Sequence, residues 1–265
     1  MKRLLWIILP ALALVGLVAL QRGAAAWRTV IDAEPGTLVY AASFDGGAAD
    51  GFNLEWEQYV GRLNAAVTDG ALRLSIGDAE RGSYSLAPHH FADFDMTVEA
   101  RAIEGPENNG YGVIFRAQDR DNYYLFLVSS DGYYAVQRVL NGEPRYLSNW
   151  IITTMDLPEL NSVRVNTGLN ALNRVRVVGQ GDTFAFYIND VRAPLCIPND
   201  SAAESVYFEF YATPEERCVQ GRMVDTLTDT AIPAGQLGVV ARSFGFGEQD
   251  RAVVVDFEQV VVYGA

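Results

Sequence analysis

The residues able to do chemistry are few. Asp95, Thr97 and Glu99 fall at alternate positions of FDMTVEARAI (residues 94–103), so the period of two puts them on one strand face. Asp256 and Glu258 lie in VVVDFEQVVVY near the C-terminal end. A facing carboxylate pair would equip a glycosidase, with one group as nucleophile or base and the other as acid. These spacings match no such pair, and a solvated outer face accounts for the charges. His89 and His90 are the only histidines. A Ser-His-Asp or Cys-His arrangement would have to use one of them. Adjacent strand residues point to opposite faces, so the two cannot ligate one metal there, and a surface loop is the plainer expectation. Cys196 and Cys218 are the only cysteines and have no C-x-x-C spacing. No catalytic motif appears in the chain.

The side chains best suited to holding a ligand lie in residues 111–147, YGVIFRAQDRDNYYLFLVSSDGYYAVQRVLNGEPRYL. Tyr111, Val113 and Phe115 form one apolar face, and Gly112, Ile114 and Arg116 form the other. If the AQDRDN connection keeps residues 116 and 124 opposed, Tyr124, Phe126 and Val128 share the face of Arg116. That face then reads as the floor of a groove. Arg116 ends an otherwise apolar strand, where a charge is costly unless it reaches water or a partner. Its planar fork suits sugar hydroxyls or a uronate carboxylate. Tyr124, across the hairpin, would offer a flat ring and a hydroxyl at its rim. Tyr134 and Arg138 join this face with a three-residue turn at 130–132, whereas a two-residue turn substitutes Tyr133 and Gln137. Trp150 follows the next strand and could wall the groove. The competing account is that these rings are core or cross-strand packing.

The elements that must position them are strands. Asp131-Gly132 and Asn141-Gly142 between alternating apolar residues are hairpin signals, and residues 111–147 read as the central antiparallel meander of an all-β domain. Before it come a first strand over 37–44, a hairpin turning at Asp69-Gly70, a short strand at 83–86 and the longer one at 94–103. After it, residues 173–188 read as a hairpin around GQGD, Asn189-Asp190 turns the chain again, and 236–241 and 252–263 close the domain. Turn signals recur every 8–12 residues or so, and no convincing amphipathic helix appears, which points to a sandwich. Residues 191–233 interrupt this rhythm, carry both cysteines and are too long for a hairpin loop, so they read as an insertion with a hairpin of its own.

The chain has 265 residues, 49% hydrophobic, with a net charge of −13. That hydrophobic fraction is enough for a sizeable core, and the charge argues against nucleic acid as a partner. Lys2 and Arg3 precede an uncharged apolar run from Leu4 to Leu20, with Ala24 and Ala26 forming an A-x-A pattern before Trp27. Residues 1–27 therefore read as a signal peptide or an N-terminal hydrophobic membrane anchor, and 28–36 as a linker. No cysteine follows the run, so a lipoprotein anchor is excluded, and the globular part, residues 37–265, is expected outside the cytoplasm. In that compartment Cys196 and Cys218 should form a disulfide worth roughly 3 kcal/mol.

The order W…DGAL-x-L…FADFDMTVEAR…YGVIFRAQDRDNYYLFLVSSDGYY…NRVRVVGQGDTFAFYIND…GQLGVVAR…VVVDFEQVVVY resembles the concanavalin A-like jelly roll. Within it the chain is similar to the laminin-G-like group that includes the 3-keto-disaccharide hydrolase (DUF1080) domains, over residues 44–263 apart from the insertion. The resemblance implies two stacked antiparallel sheets, one concave, with glycans the usual ligand class on the concave side. Retaining glycosidases of this jelly roll carry an E-x-D-x-x-E strand, which this chain lacks. The resemblance also implies that the first and last strands run side by side. That would bring Asp45 and Asp256 together as candidate Ca²⁺ ligands, although Asp45-Gly46 is also an ordinary turn signal. No other cofactor is expected. The resulting expectation is a non-catalytic, extracytoplasmic module that binds a polysaccharide or glycoconjugate and meets the membrane through its N-terminal segment if uncleaved. The alternatives are a sugar-active hydrolase, and an adhesion or scaffold domain making its contacts through the insertion.

Overall fold

Turn residues punctuate the chain where their chemistry requires. Asp69-Gly70 and Asn141-Gly142 take positive φ (53° and 78°, 54° and 83°), and each closes a hairpin through two residues. The computed structural model describes residues 30–45, 50–51, 56–61, 63–77, 82–200, 207–244 and 252–265. Residues 1–27, expected to be a signal peptide or a hydrophobic helical membrane anchor, lie outside the described residues. Among those described, no helix is long and apolar enough to cross a membrane, and Pro158–Leu160 forms a 3₁₀ turn.

The strands in chain order begin with β1 (Val30–Ile31), β2 (Leu38–Ala42), β3 (Asp50–Gly51), β4 (Leu63–Thr68), β5 (Ala71–Ile76), β6 (Gly82–Phe91) and β7 (Phe94–Glu104). The meander is β8 (Gly110–Asp119), β9 (Asn122–Val128), β10 (Tyr133–Leu140) and β11 (Glu143–Ile152). Then follow β12 (Asn173–Gln180), β13 (Thr183–Ile188), β14 (Val191–Arg192), β15 (Leu195–Pro198), β16 (Tyr207–Phe208) and β17 (Cys218–Val219). The last are β18 (Gly221–Val224), β19 (Leu227–Thr228), β20 (Gly235–Arg242) and β21 (Val253–Tyr263).

They build a seven-stranded sheet, β1-β6-β20-β8-β9-β10-β11, and a ten-stranded sheet on the path β14-β13-β12-β7-β21-β2-β3. β5 joins the second sheet beside β21, β4 beside β5, and β19 beside β13. β2 and β21, the first and last strands of the domain proper, lie side by side. The two sheets stack as a jelly-roll sandwich. In β7 burial alternates strictly, so Phe94, Met96, Val98, Ala100 and Ala102 face inward while Asp95, Thr97 and Glu99 face outward. Across from them, Phe115 stacks on Tyr124 with centroids 5.2 Å apart, and Phe184 and Phe186 pack against this pair and against Phe126. Each such side chain contributes about 1.5–3 kcal/mol by leaving water.

The meander's register corrects one expectation. Phe115, not Arg116, opposes Tyr124, because β8 and β9 close through a two-residue turn at Arg120-Asp121 and a bulge leaves Arg116, Ala117 and Gln118 against Tyr123. Arg116 itself takes φ 50°, which turns its side chain inward. The bulge presses so close to β20 that a Cβ on Gly235 would lie 2.3 Å from the Arg116 carbonyl carbon, so only glycine fits there. Because the side-chain period is two, this shift exchanges the faces of β9: Tyr124, Phe126 and Val128 are core, and Leu125 and Leu127 face outward. The short strand expected at 83–86 runs through to Phe91, so His89 and His90 lie in β6 rather than in a loop.

The insertion is fastened to the sandwich at several points. β14 and β19 extend the edge at β13. β15 pairs with β18 and β16 with β17. Tyr134 Oη donates to the Pro194 carbonyl at 2.5 Å, and the Cys196 amide donates to Ser148 Oγ at 3.1 Å. Arg217 pairs with Glu159 at 2.6 Å. The expected disulfide is present: Cys196 and Cys218 are bridged, with Cα atoms 5.4 Å apart.

Candidate functional site

Four of the five residues expected to line a groove do share one face, but it is the inner one. The three-residue turn at Ser130–Gly132 is the one observed: the Ser129 amide donates to the Tyr133 carbonyl, and Gly132 supplies φ 95°. Tyr134 then pairs with Val128 and Arg138 with Tyr124. Arg116, Tyr124 and Tyr134 are 1%, 0% and 0% exposed, so none can meet a polymer and all three are withdrawn from the ligand site. Their work is structural. The Arg116 guanidinium lies 4.6 Å over the Phe184 ring and donates to the carbonyls of Ile232 (3.1 Å) and Ala92 (2.7 Å) and to that of Gly181, which ties three loops to one end of the sandwich. Tyr124 donates to Asp229 at 2.7 Å, and burial pushes its hydroxyl pKa up. Tyr111, whose hydroxyl accepts from Asn173, is pushed up to about 12 by the same cause. Arg138 reaches the rim, where it pairs with Asp229 at 2.6 Å.

Trp150 is the exception, because it faces outward. The open face of the seven-stranded sheet carries a second apolar cluster, Leu86, Ile114, Ala117, Leu125, Leu127 and Val240, roofed by Tyr84, Tyr123 and Trp150. Beside it lies an open recess of about 390 Å³, with Tyr133, Tyr146, Trp150 and Phe244 as its aromatic walls. The Trp150 indole N–H donates to Tyr146 Oη at 3.2 Å, and the Trp150 ring meets Phe244 edge-on at 5.6 Å. Gly110 lets Phe244 sit flat on β8, since a Cβ there would lie 3.0 Å from the ring. Polar groups ring these walls: Asn108, Asn109, Ser129 and Asp131. Nearby, Arg242 donates to Gln137 at 2.7 Å. Ser129 Oγ donates to Asp131, but burial outweighs that bond and raises the carboxyl pKa above its ordinary value. The assembly offers half-buried flat rings beside fixed hydrogen-bonding groups, the equipment for a ligand with one apolar face and a polar rim.

The calcium expectation fails on geometry. Asp256 is held bidentately by Arg73, at 2.6 and 2.8 Å, so its oxygens already face a cation. Asp45 accepts from Ser43 Oγ at 2.8 Å, and no group of three metal-ligating side chains occurs among the described residues. Asp95 and Glu99 are likewise engaged, by Arg176 and Arg174.

Sequence reasoning missed Tyr146 and Phe244 and held Tyr133 only as an alternative. One signal was legible: YLFLV is apolar at every position, the mark of a strand covered on both faces rather than one.

No family model and no curated protein matches this sequence. Among solved structures, an apo Crh5 transglycosylase superposes with TM-score 0.51 at 11% identity, over 89% of each chain. The carbohydrate-binding module CBM66 from Bacillus subtilis gives 0.48 at 15% identity, covering 78% of this chain and 96% of that one. The Emp47p carbohydrate recognition domain gives 0.46 at 11%, covering 86% and 97%. The two stacked antiparallel sheets and the transglycosylase superposition are consistent with a concanavalin A-like sandwich fold, which by itself assigns no activity.

Proposed function

We propose that this protein is an exported, non-catalytic carbohydrate-binding module that lays a stretch of polysaccharide or glycoconjugate along the open face of the seven-stranded sheet. The observation that carries this reading is the recess walled by Tyr133, Tyr146, Trp150 and Phe244 on an otherwise apolar outer face. Sugar rings present C–H faces to such side chains and hydroxyls to the polar rim. Binding is favoured over hydrolysis because the recess lining, among the described residues, contains a single carboxylate, Asp131, and glycoside hydrolysis uses two. The adhesion alternative is less well supported, since the exposed large apolar residues described in the insertion are Tyr207 and Tyr211. Export is supported by the Cys196–Cys218 bridge, which persists in oxidising compartments, and by the charged and apolar pattern of residues 1–27.

The test is a neutral-oligosaccharide array probed with the wild-type chain and with Trp150→Ala. Wild type should bind a subset of the glycans. Trp150→Ala should weaken binding about tenfold or more, equivalent to about 1.4 kcal/mol, with the thermal midpoint within a few degrees. Absence of binding to every glycan, or equal binding by Trp150→Ala, would sink the reading.

A further inference from the structure

The β10–β11 hairpin also has an inner side, which runs beyond the core and is met there by the insertion. Between them is a cleft of about 390 Å³ whose described lining carries three guanidinium groups, those of Arg138, Arg145 and Arg222, and one carboxylate, Asp229. Arg138 and Arg145 are directly opposed across the hairpin, a like-charge pair that destabilises a sheet unless something offsets it. Asp229 offsets only Arg138, at 2.6 Å, and it is shared with Tyr124. Arg145 is half-buried yet has no ion pair or hydrogen bond among the described residues, and its Nε is buried without a partner. The Arg138 Nε is orphaned in the same way. Arg222 approaches from β18 on the facing wall, also without an ion pair among the described residues. Four arginines of the ten-stranded sheet, Arg73, Arg101, Arg174 and Arg176, are by contrast paired with carboxylates. In a chain of net charge −13, two arginines without an ion pair among the described residues, beside a third, form an arrangement that an anionic ligand would complete.

We infer that this cleft is a binding site for an oxyanion: a sulfate ester, a carboxylate of an acidic saccharide, or free phosphate. Forked donors converging on one space match the planar or tetrahedral oxygens of such groups, and the half-buried positions of Arg138 and Arg145 strengthen their charge-assisted bonds, while Arg222 is exposed. The site lies on the opposite side of the hairpin from the aromatic recess and does not rest on the carbohydrate reading of that recess. It gives the insertion a task, supplying the wall that carries Arg222.

The experiment is calorimetric titration of the full chain at low salt with three probes: a heparin-derived tetrasaccharide, a galacturonate tetrasaccharide and inorganic phosphate. Wild type should bind at least one of them, more weakly as sodium chloride is raised. The double variant Arg145→Gln, Arg222→Gln should lose about tenfold or more of that affinity while its thermal midpoint stays level or rises, because a like-charge opposition is relieved. Phosphate binding as tightly as the sugars would identify a free anion as the source, and binding of the sugars alone an acidic glycan. Trp150→Ala should leave the anion affinity unchanged, so failure of one site is told apart from failure of the other. The inference is overturned if no probe binds at millimolar concentration, if the double variant binds as wild type does, or if its midpoint falls as a structural role requires.

Discussion

The two sheets turn very different faces to the outside. On the ten-stranded sheet the outward positions of β5, β7, β12 and β21 are crossed by ion pairs: Arg73 with Asp256, Arg101 with Glu258, Arg174 with Glu99 and Arg176 with Asp95. Each of these charges is answered by a neighbour. On the seven-stranded sheet the outward positions are Leu86, Ile114, Leu125, Leu127 and Val240, under rings that are only half covered. Half-covered rings at a sheet surface leave apolar area in water, and a recess built from them fits a partner's apolar face. The contrast says where to look for a ligand more directly than any single residue does.

The largest test of that contrast is to put a charge on each face. Leu125→Asp places a carboxylate at a position 1% exposed, among apolar neighbours, and should cost about 3–5 kcal/mol in denaturant unfolding. Thr97→Asp puts the same group directly opposite Arg176 on the other sheet and should change stability by about 1 kcal/mol or less. Equal tolerance of both would mean that the apolar face is simply wet surface.

A smaller effect is expected from removing one ion pair. The Arg176 and Asp95 side chains are 37% and 20% exposed, so water screens much of their attraction. Arg176→Gln should therefore cost about 1 kcal/mol at most, fading at high salt, and should leave glycan binding intact. A loss of binding would move the ligand to the ten-stranded sheet.

The smallest concerns Asp131 at the recess. Burial raises its folded carboxyl pKa above the unfolded value, so protonation is favoured by folding. Its stabilising contribution is full below the unfolded pKa and is lost as pH rises through the folded one. Asp131→Asn should thus melt slightly above wild type at pH 7, with the gap closing as the pH falls through the carboxylate range. A gap that widens in acid would reverse the sign and place the carboxylate in a favourable site.

Much of the fold was legible because it depends on local chemistry. Asp69-Gly70, Asn141-Gly142 and Asn189-Asp190 announce positive φ, and the strict alternation of FDMTVEARAI puts Phe94, Met96 and Val98 inside whatever the partner sheet may be. The disulfide followed from two cysteines flanking one segment. The grouping of Arg116, Tyr124, Tyr134 and Arg138 on one face was legible too, given the three-residue turn. Which way that face points was not. It hangs on the bulge at Arg116, and that bulge is set by the close approach of Gly235, more than a hundred positions along the chain. A shift of one residue in a strand of period two exchanges core for surface, and local sequence carries no record of it. The aromatic recess and the arginine cleft depend on tertiary structure for the same reason. Phe244, Trp150 and Tyr133 come from three separate strand ends, and Arg138 meets Arg222 only because the insertion folds back over the hairpin. Long-range packing alone decides such meetings, while turns and alternation are decided within a few residues.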